Sequence, residues 1–164
     1  MNLFRLMTRS KNRLVLNLII LIAFLLAGCS EDKVVTSIDL YFMEVTETRF
    51  ELASEPRNFD GPEPDLPQVL SAWMEGPQSR HLSRVVPEEV KLLDCFIRDG
   101  VAYLDFSPEI SRLSLGGELE AVLVQSIVLT AIQVQGTLGV QILVNGEVIE
   151  SLAGHMLINR PITF

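Results

Sequence analysis

The chain has 164 residues, of which 48% are apolar and 21% charged, and its 21 acidic against 13 basic side chains give a formal charge of −8. That length allows one compact core and argues against a multidomain enzyme. The acidic balance opposes nucleic-acid partners, which need a basic stripe to release counterions, and the apolar content excludes a disordered acidic tail.

Arg5, Arg9, Lys11 and Arg13 precede an apolar run from Leu14 to Ala27, broken only by Asn17, and no acidic residue occurs before Glu31. A basic flank followed by so short an apolar stretch predicts a secretory signal; a spanning helix wants about 20 apolar residues. The run ends in Leu26-Ala27-Gly28-Cys29, which resembles the bacterial lipobox, with small residues before a cysteine that receives the lipid. The expectation is a signal peptide over 1–28 and lipidation of Cys29, making the membrane a partner through acyl chains. Two or more chains anchor stably where one is marginal. Ser30 after the cysteine points to the outer membrane of a two-membrane cell; in a one-membrane cell the site is the outer leaflet of the plasma membrane.

Beyond residue 28 the chain carries nine basic and 21 acidic side chains, a charge of −12. Residues 29–37 read as a lipidated polar tether, whose last eight residues span at most about 26 Å. Residues 38–164 read as a single domain.

Ile38, Leu40 and Phe42 alternate with Asp39, Tyr41 and Met43, the period of a half-buried strand. A short strand near Phe50 to Leu52 should give way to a loop at Pro56, Gly61, Pro62 and Pro64. Leu66, Val69, Leu70, Trp73 and Met74 fall on one face of a helix that Asp65 caps and Gly76-Pro77 stops. Gln78 to Arg84 reads as loop.

Val90 to Arg98 and Val101 to Phe106 flank Asp99-Gly100, the signal of a type I′ hairpin. The turn sets Ile97, Cys95 and Leu93 opposite Ala102, Leu104 and Phe106 on a wholly apolar face. Arg98, Phe96 and Asp94 lie opposite Val101, Tyr103 and Asp105 on the other.

Glu118 to Gln135 reads as a second helix. Leu123, Val124, Ile127, Val128, Ala131, Ile132 and Val134 fill one arc, and Glu118, Gln125, Ser126, Thr130 and Gln133 mark the opposite one. Strand Val140 to Val144 follows, and Asn145-Gly146 turns it into Glu147 to Ile149. The order predicts an α+β fold of two layers, with both helices packed on one face of a mixed β-sheet.

Catalytic or metal chemistry finds little support in the residues. With Cys29 taken by lipid, Cys95 has no partner, and its place on the apolar hairpin face predicts a buried, inert thiol. His81 and His155 lack ligand neighbours at zinc spacing, so no metal and no cofactor are expected. Asp94 and Asp105 sit opposite each other, which admits a weak divalent-ion site or a carboxylate dyad; two solvated side chains splaying apart is the plainer reading. Gly116-Gly117 lacks the lysine of a phosphate loop, and no Gly-x-Ser-x-Gly elbow occurs. Leu119, Val122 and Leu129 interrupt the polar arc of the second helix, which makes them a candidate packing face for a neighbouring subunit. Scattered surface apolar residues are the ordinary alternative.

Five motifs in order resemble the GerMN domain of bacterial sporulation and spore germination lipoproteins. They are Ala72-Trp73-Met74-Glu75-Gly76-Pro77, Val86-Pro87-Glu88, the strand Asp99 to Ser107, the hairpin Val140 to Glu147, and Leu152-Ala153-Gly154-His155. Together they cover about residues 36 to 160. One departure lies in Gln125 to Thr130, which lacks the asparagine usual in the family's helix. The resemblance implies a small module similar to the ring-building domains of envelope secretion assemblies, without known catalytic residues. Family members act in spore formation, germination or extracytoplasmic sensing. The resulting expectation is a non-catalytic interaction or assembly module, binding an envelope protein or itself. A surface sensor of a small molecule or wall fragment is the alternative, and would show a deep pocket lined by polar groups.

Overall fold

The computed structural model describes residues 34–163. Strand β1 (Val35–Val45) folds back on β2 (Phe50–Asp60) in an antiparallel pair running from Val45 opposite Phe50 to Val35 opposite Asp60. Helix α1 (Leu66–Glu75) follows, then a two-residue strand β3 (Leu82–Ser83) that pairs with β1 at Met43 and Glu44. β4 (Leu92–Arg98) and β5 (Val101–Phe106) form the expected hairpin. A 3-10 turn (Pro108–Arg112), helix α2 (Gly117–Ala131) and β6 (Gly139–Val144), which runs parallel to β5, complete the order.

The α+β class with two helices stands, but the strands divide into two three-stranded sheets. One is antiparallel, in the order β2-β1-β3; the other is mixed, in the order β4-β5-β6. The division has a local cause. α2 lies along the free edge of β1 and takes backbone hydrogen bonds there. The Tyr41 N–H donates to Thr130 Oγ1 (3.1 Å), the Asp39 N–H donates to Gln133 Oε1 (3.1 Å), and Ser126 Oγ donates to the Tyr41 carbonyl. Gln133 Nε2 also donates to the Asp39 carbonyl. Ser126, Thr130 and Gln133 are spaced i, i+4 and i+7, so one helix stripe reaches successive groups of the strand edge. The arc that reads as solvated is therefore turned inward, and Ser126 and Thr130 are fully buried.

One core joins both sheets and both helices. Leu40 and Phe42 of β1 meet Val69, Leu70 and Trp73 of α1, Leu123 and Ile127 of α2, and Ala102, Leu104, Phe106 and Ile142 of the second sheet. The Trp73 ring meets Phe106 edge-on at 6.4 Å, while its indole N–H donates to the Tyr41 carbonyl and Ser126 Oγ (both 2.9 Å). The buried tryptophan thus has the polar partners it needs.

Several expectations shift. β1 begins at Val35, so the last residues of the supposed tether are strand. β2 runs through Pro56, where a loop is expected. Pro56 lies opposite Asp39, whose N–H points away from β2 toward Gln133. That pair is non-hydrogen-bonded, so the missing proline N–H falls on the outer edge, where a strand tolerates it. α2 ends at Ala131, four residues before the expected Gln135. The last helical bond runs from the Ile132 N–H to the Val128 carbonyl, and tighter turns through Val134 and Thr137 then carry the chain to Gly136 at φ 84°. Glu147 to Ile149 forms only a bridge between Glu147 and Val144.

The hairpin register holds from Arg98 opposite Val101 to Asp94 opposite Asp105, with Asp99 at φ 51° and Gly100 at φ 79°, as a type I′ turn requires. A bulge at Leu93 then places Leu92, not Leu93, opposite Phe106. The supposedly apolar face is exposed on the β4 side, at 49% for Leu93 and 37% for Ile97, and Cys95 is only half-buried. β4 is the edge strand and overhangs a core centred on β5 and β6.

Candidate interaction groove

The groove is built where four segments converge. Met43 lies near the end of β1, Val85, Val86 and Pro87 follow β3, Leu113 and Leu115 link the 3-10 turn to α2, and Leu119 and Val122 come from the first turns of α2. Arg84 and Glu88 are its charged lining, and its volume is about 350 Å³. A second, shallower hollow of about 490 Å³ shares Arg84 and Glu88 and adds Glu75, Lys91 and Leu92.

Arg84 is committed to structure. Its Nη2 donates to the Met74 carbonyl (2.7 Å), its Nη1 to the Glu75 carbonyl and its Nε to the Val86 carbonyl (both 3.4 Å). Those α1 carbonyls are ones a helix end leaves without internal partners. Gly76 lets the arginine approach. At φ 91° it sits where side chains are strained, and a Cβ there would lie 2.7 Å from Arg84 Cγ.

Behind this end of α1 lies a clamp that sequence reasoning missed. Glu55 and Arg57 point into the protein from β2 and are joined at 2.9 Å. Arg57 also donates to the Gly76 carbonyl (3.1 Å), and Glu55 accepts from the Gln78 N–H (2.8 Å) and the Ser79 N–H (2.9 Å). Burial alone would raise the Glu55 pKa, but the Gln78 N–H, the Arg57 guanidinium and the backbone and hydroxyl of Ser79 outweigh it, holding the carboxyl at about 2.

A second buried acid anchors the opposite side. Glu120, fully buried in the first turn of α2, accepts from the N–H groups of Leu152 (3.0 Å) and Ala153 (2.9 Å) through one oxygen, and from that of His155 (2.8 Å) through the other. The closing Leu-x-Gly-His motif is thus a backbone loop wrapped around a carboxylate.

The candidate face on α2 needs correction. Val122 is 7% exposed, and Leu119 and Leu129 are half-buried, so the three form no open strip. Because the Ser126, Thr130 and Gln133 stripe faces β1, the apolar residues flanking it are drawn in as well. Leu119 and Val122 instead line the groove, and Leu129 does not.

Asp94 and Asp105 do lie opposite each other. Each is occupied separately: the Cys95 N–H donates to Asp94 (2.8 Å) and the Gly146 N–H to Asp105 (2.7 Å). Among the described residues, no three His, Cys, Asp or Glu side chains group as metal ligands would. Beside the aspartates, Phe96 stacks on Tyr103 at 5.1 Å and the Arg98 guanidinium lies 5.2 Å from the Phe96 ring centre. Burial, with the charges of Asp94 and Asp65, pushes the Cys95 thiol up. That suits an unreactive group. His81 lies in the turn before β3, remote in sequence from His155. Cys29, with Leu26, Ala27 and Gly28, lies outside the described residues.

Fold and site together define a small α+β domain whose buried acids hold backbone loops and whose concave surface is apolar. The chain belongs to the Germane family, described as sporulation and spore germination, whose model matches residues 39–150. Three solved structures share the fold. The tandem GerMN domains of the sporulation protein GerM from Bacillus subtilis align with a TM-score of 0.63 at 22% identity, covering 84% of this chain and 48% of that one. The first GerMN domain of the same protein aligns at 0.58 and 18% identity, covering 78% and 97%. A candidate lipoprotein from Clostridium perfringens aligns at 0.56 and 24% identity, covering 82% and 93%. This chain thus spans about half of the tandem protein and nearly all of the other two. No curated protein matches it.

Proposed function

We propose that this protein is a lipid-anchored extracytoplasmic lipoprotein whose single domain is a non-catalytic assembly module, serving sporulation or germination where the cell performs them. One observation carries the interaction role: eight of the ten groove-lining residues are apolar, and the arginine among the other two is bonded to carbonyls. Such a lining suits apolar side chains of a protein partner better than the hydroxyl-rich surface of a wall fragment, which would need convergent donors and acceptors. The anchor rests on the basic flank and on Leu26-Ala27-Gly28-Cys29, and a fold neighbour described as a candidate lipoprotein is consistent with it.

Two measurements test the reading. Metabolic labelling with a radioactive fatty acid should mark the protein and lose the mark in Cys29→Ala; persistent labelling refutes the anchor. Photocrosslinking in intact cells from position 119 should capture an envelope protein or a second copy, whereas the same crosslinker at exposed position 157 should not. Recovery of the protein only as an uncrosslinked monomer refutes the assembly role.

A further inference from the structure

The groove has an electrostatic character that narrows what can fill it. Arg84 spends its donors on the Met74, Glu75 and Val86 carbonyls, and its contact with Glu88 is long, at 3.8 Å, with the Glu88 side chain 88% exposed. Glu118, adjacent to the groove residue Leu119, accepts from the Phe50 N–H (3.2 Å) at this end of α2. The groove is thus an apolar floor with Glu88 and Glu118 at its rim beside the carbonyl-bound Arg84, on a domain already strongly negative.

The strand edges constrain the mode of binding. The β1 edge is occupied by α2, β2 carries Pro56, and the Cys95 N–H of β4 is held by Asp94. The far side of β6 is bonded to Ile162 in both directions, at 2.9 and 2.8 Å. An added strand meets an interruption on each of these edges, which favours contact through side chains.

Resting on the assembly reading above, we propose that the groove receives a cationic amphipathic segment of an envelope protein, its apolar side chains seated between Met43, Val85, Leu119 and Val122 and its Lys or Arg side chains beside Glu88 and Glu118. A second copy of this chain is the poorer occupant, because each copy beyond residue 28 carries a charge of −12. An anionic lipid surface is repelled for the same reason. Opposite charge on the partner steers encounter and sets orientation, while the apolar floor holds the complex.

The test uses the full lipidated chain in phosphatidylcholine nanodiscs, with p-benzoylphenylalanine at Val85 or, as control, at exposed Leu157. Three synthetic helical peptides share one pattern: leucine with lysine, leucine with glutamate, and serine with lysine. The leucine–lysine peptide should crosslink at position 85 and not at 157, with yield falling at least tenfold for either of the others and several-fold on raising the salt. Glu88→Lys, alone or with Glu118→Lys, should shift the preference toward the leucine–glutamate peptide, with the thermal midpoint reporting that the variant is folded. Equal yields for the lysine and glutamate peptides would overturn the cationic assignment while leaving an apolar docking groove in place. Equal yields for the serine and leucine peptides, or no capture at position 85, would overturn the groove as the seat. Capture of a neutral or acidic envelope protein from position 119 in cells would overturn this inference and leave the assembly role standing.

Discussion

Replacing Glu55 by Gln tests whether the clamp behind α1 works through charge. The Glu55 side chain is 7% exposed, so its interactions are little screened. Burial disfavours its ionised form, yet the bonds from Gln78, Arg57 and Ser79 lower its pKa from the ordinary 4.5 to about 2. That difference corresponds to about 3 kcal/mol of folding stability at neutral pH. Because the folded-state value lies below the unfolded one, the native protein binds fewer protons between them. The contribution is complete above about pH 5 and is lost as the pH falls toward about 2. Urea unfolding of the wild type and Glu55→Gln at intervals from pH 7 to pH 2 reads the effect. The variant keeps an acceptor oxygen but no charge, so it should be about 2–3 kcal/mol less stable at pH 7, with the gap closing toward pH 2. A gap of constant size across the range, or none at pH 7, would refute the charge-based clamp.

Thr130→Val keeps the branched shape but leaves the Tyr41 N–H without its acceptor, so it should cost about 1–3 kcal/mol and speed amide exchange at Tyr41; exchange at the wild-type rate would contradict the edge ladder. Glu120→Gln should loosen the loop from Ser151 to His155, seen as proteolytic nicking or faster exchange at Leu152, Ala153 and His155, since those three N–H groups converge on the carboxylate. The raised pKa of Cys95 predicts that the folded protein is alkylated more slowly at pH 7 than the unfolded chain; equal or faster labelling of the folded protein would show a thiolate that the surroundings do not support.

What the sequence reveals follows from how local the determining interactions are. The Asp65 cap and the Asp99-Gly100 turn depend on neighbours in the chain, and both appear as read. The Asp65 side chain accepts from the Gln68 N–H at 2.8 Å, and the hairpin register extends five residues from its turn to Asp94. The misreadings all involve distant partners. Ser126 and Thr130 look like a solvated helix face because periodicity registers polarity and is blind to a strand edge 89 residues away that needs hydrogen bonds. Pro56 looks like a loop residue until β2 is known to be an edge strand. Glu55 and Glu120 resemble any other surface acid; only the converging N–H groups distinguish them. The candidate face followed the same error, since an outward-facing strip at Val122 presupposed an outward-facing polar arc.

Closing the strand edges has a consequence for how such a domain can assemble. Sheet edges are the cheapest route to association, since each exposed N–H and C=O is a preformed contact, but that route discriminates poorly among partners. Here the edges are interrupted by a helix stripe on β1, a proline in β2, an aspartate on β4 and the Ile162 segment on β6. Long uninterrupted edges would expose the domain to nonspecific strand addition. Interrupting the edges lowers that hazard and shifts recognition toward side chains, where size, apolarity and charge sign must all match. A single substitution that reopens an edge should therefore raise self-association before it changes binding at the groove. Thr130→Val with Gln133→Leu is the combination to watch, because it strips both Tyr41 and Asp39 of their acceptors. If this double variant sediments as a folded monomer at concentrations where an open-edged sheet associates, edge closure by α2 is structural support alone, and the specificity argument must rest on the groove.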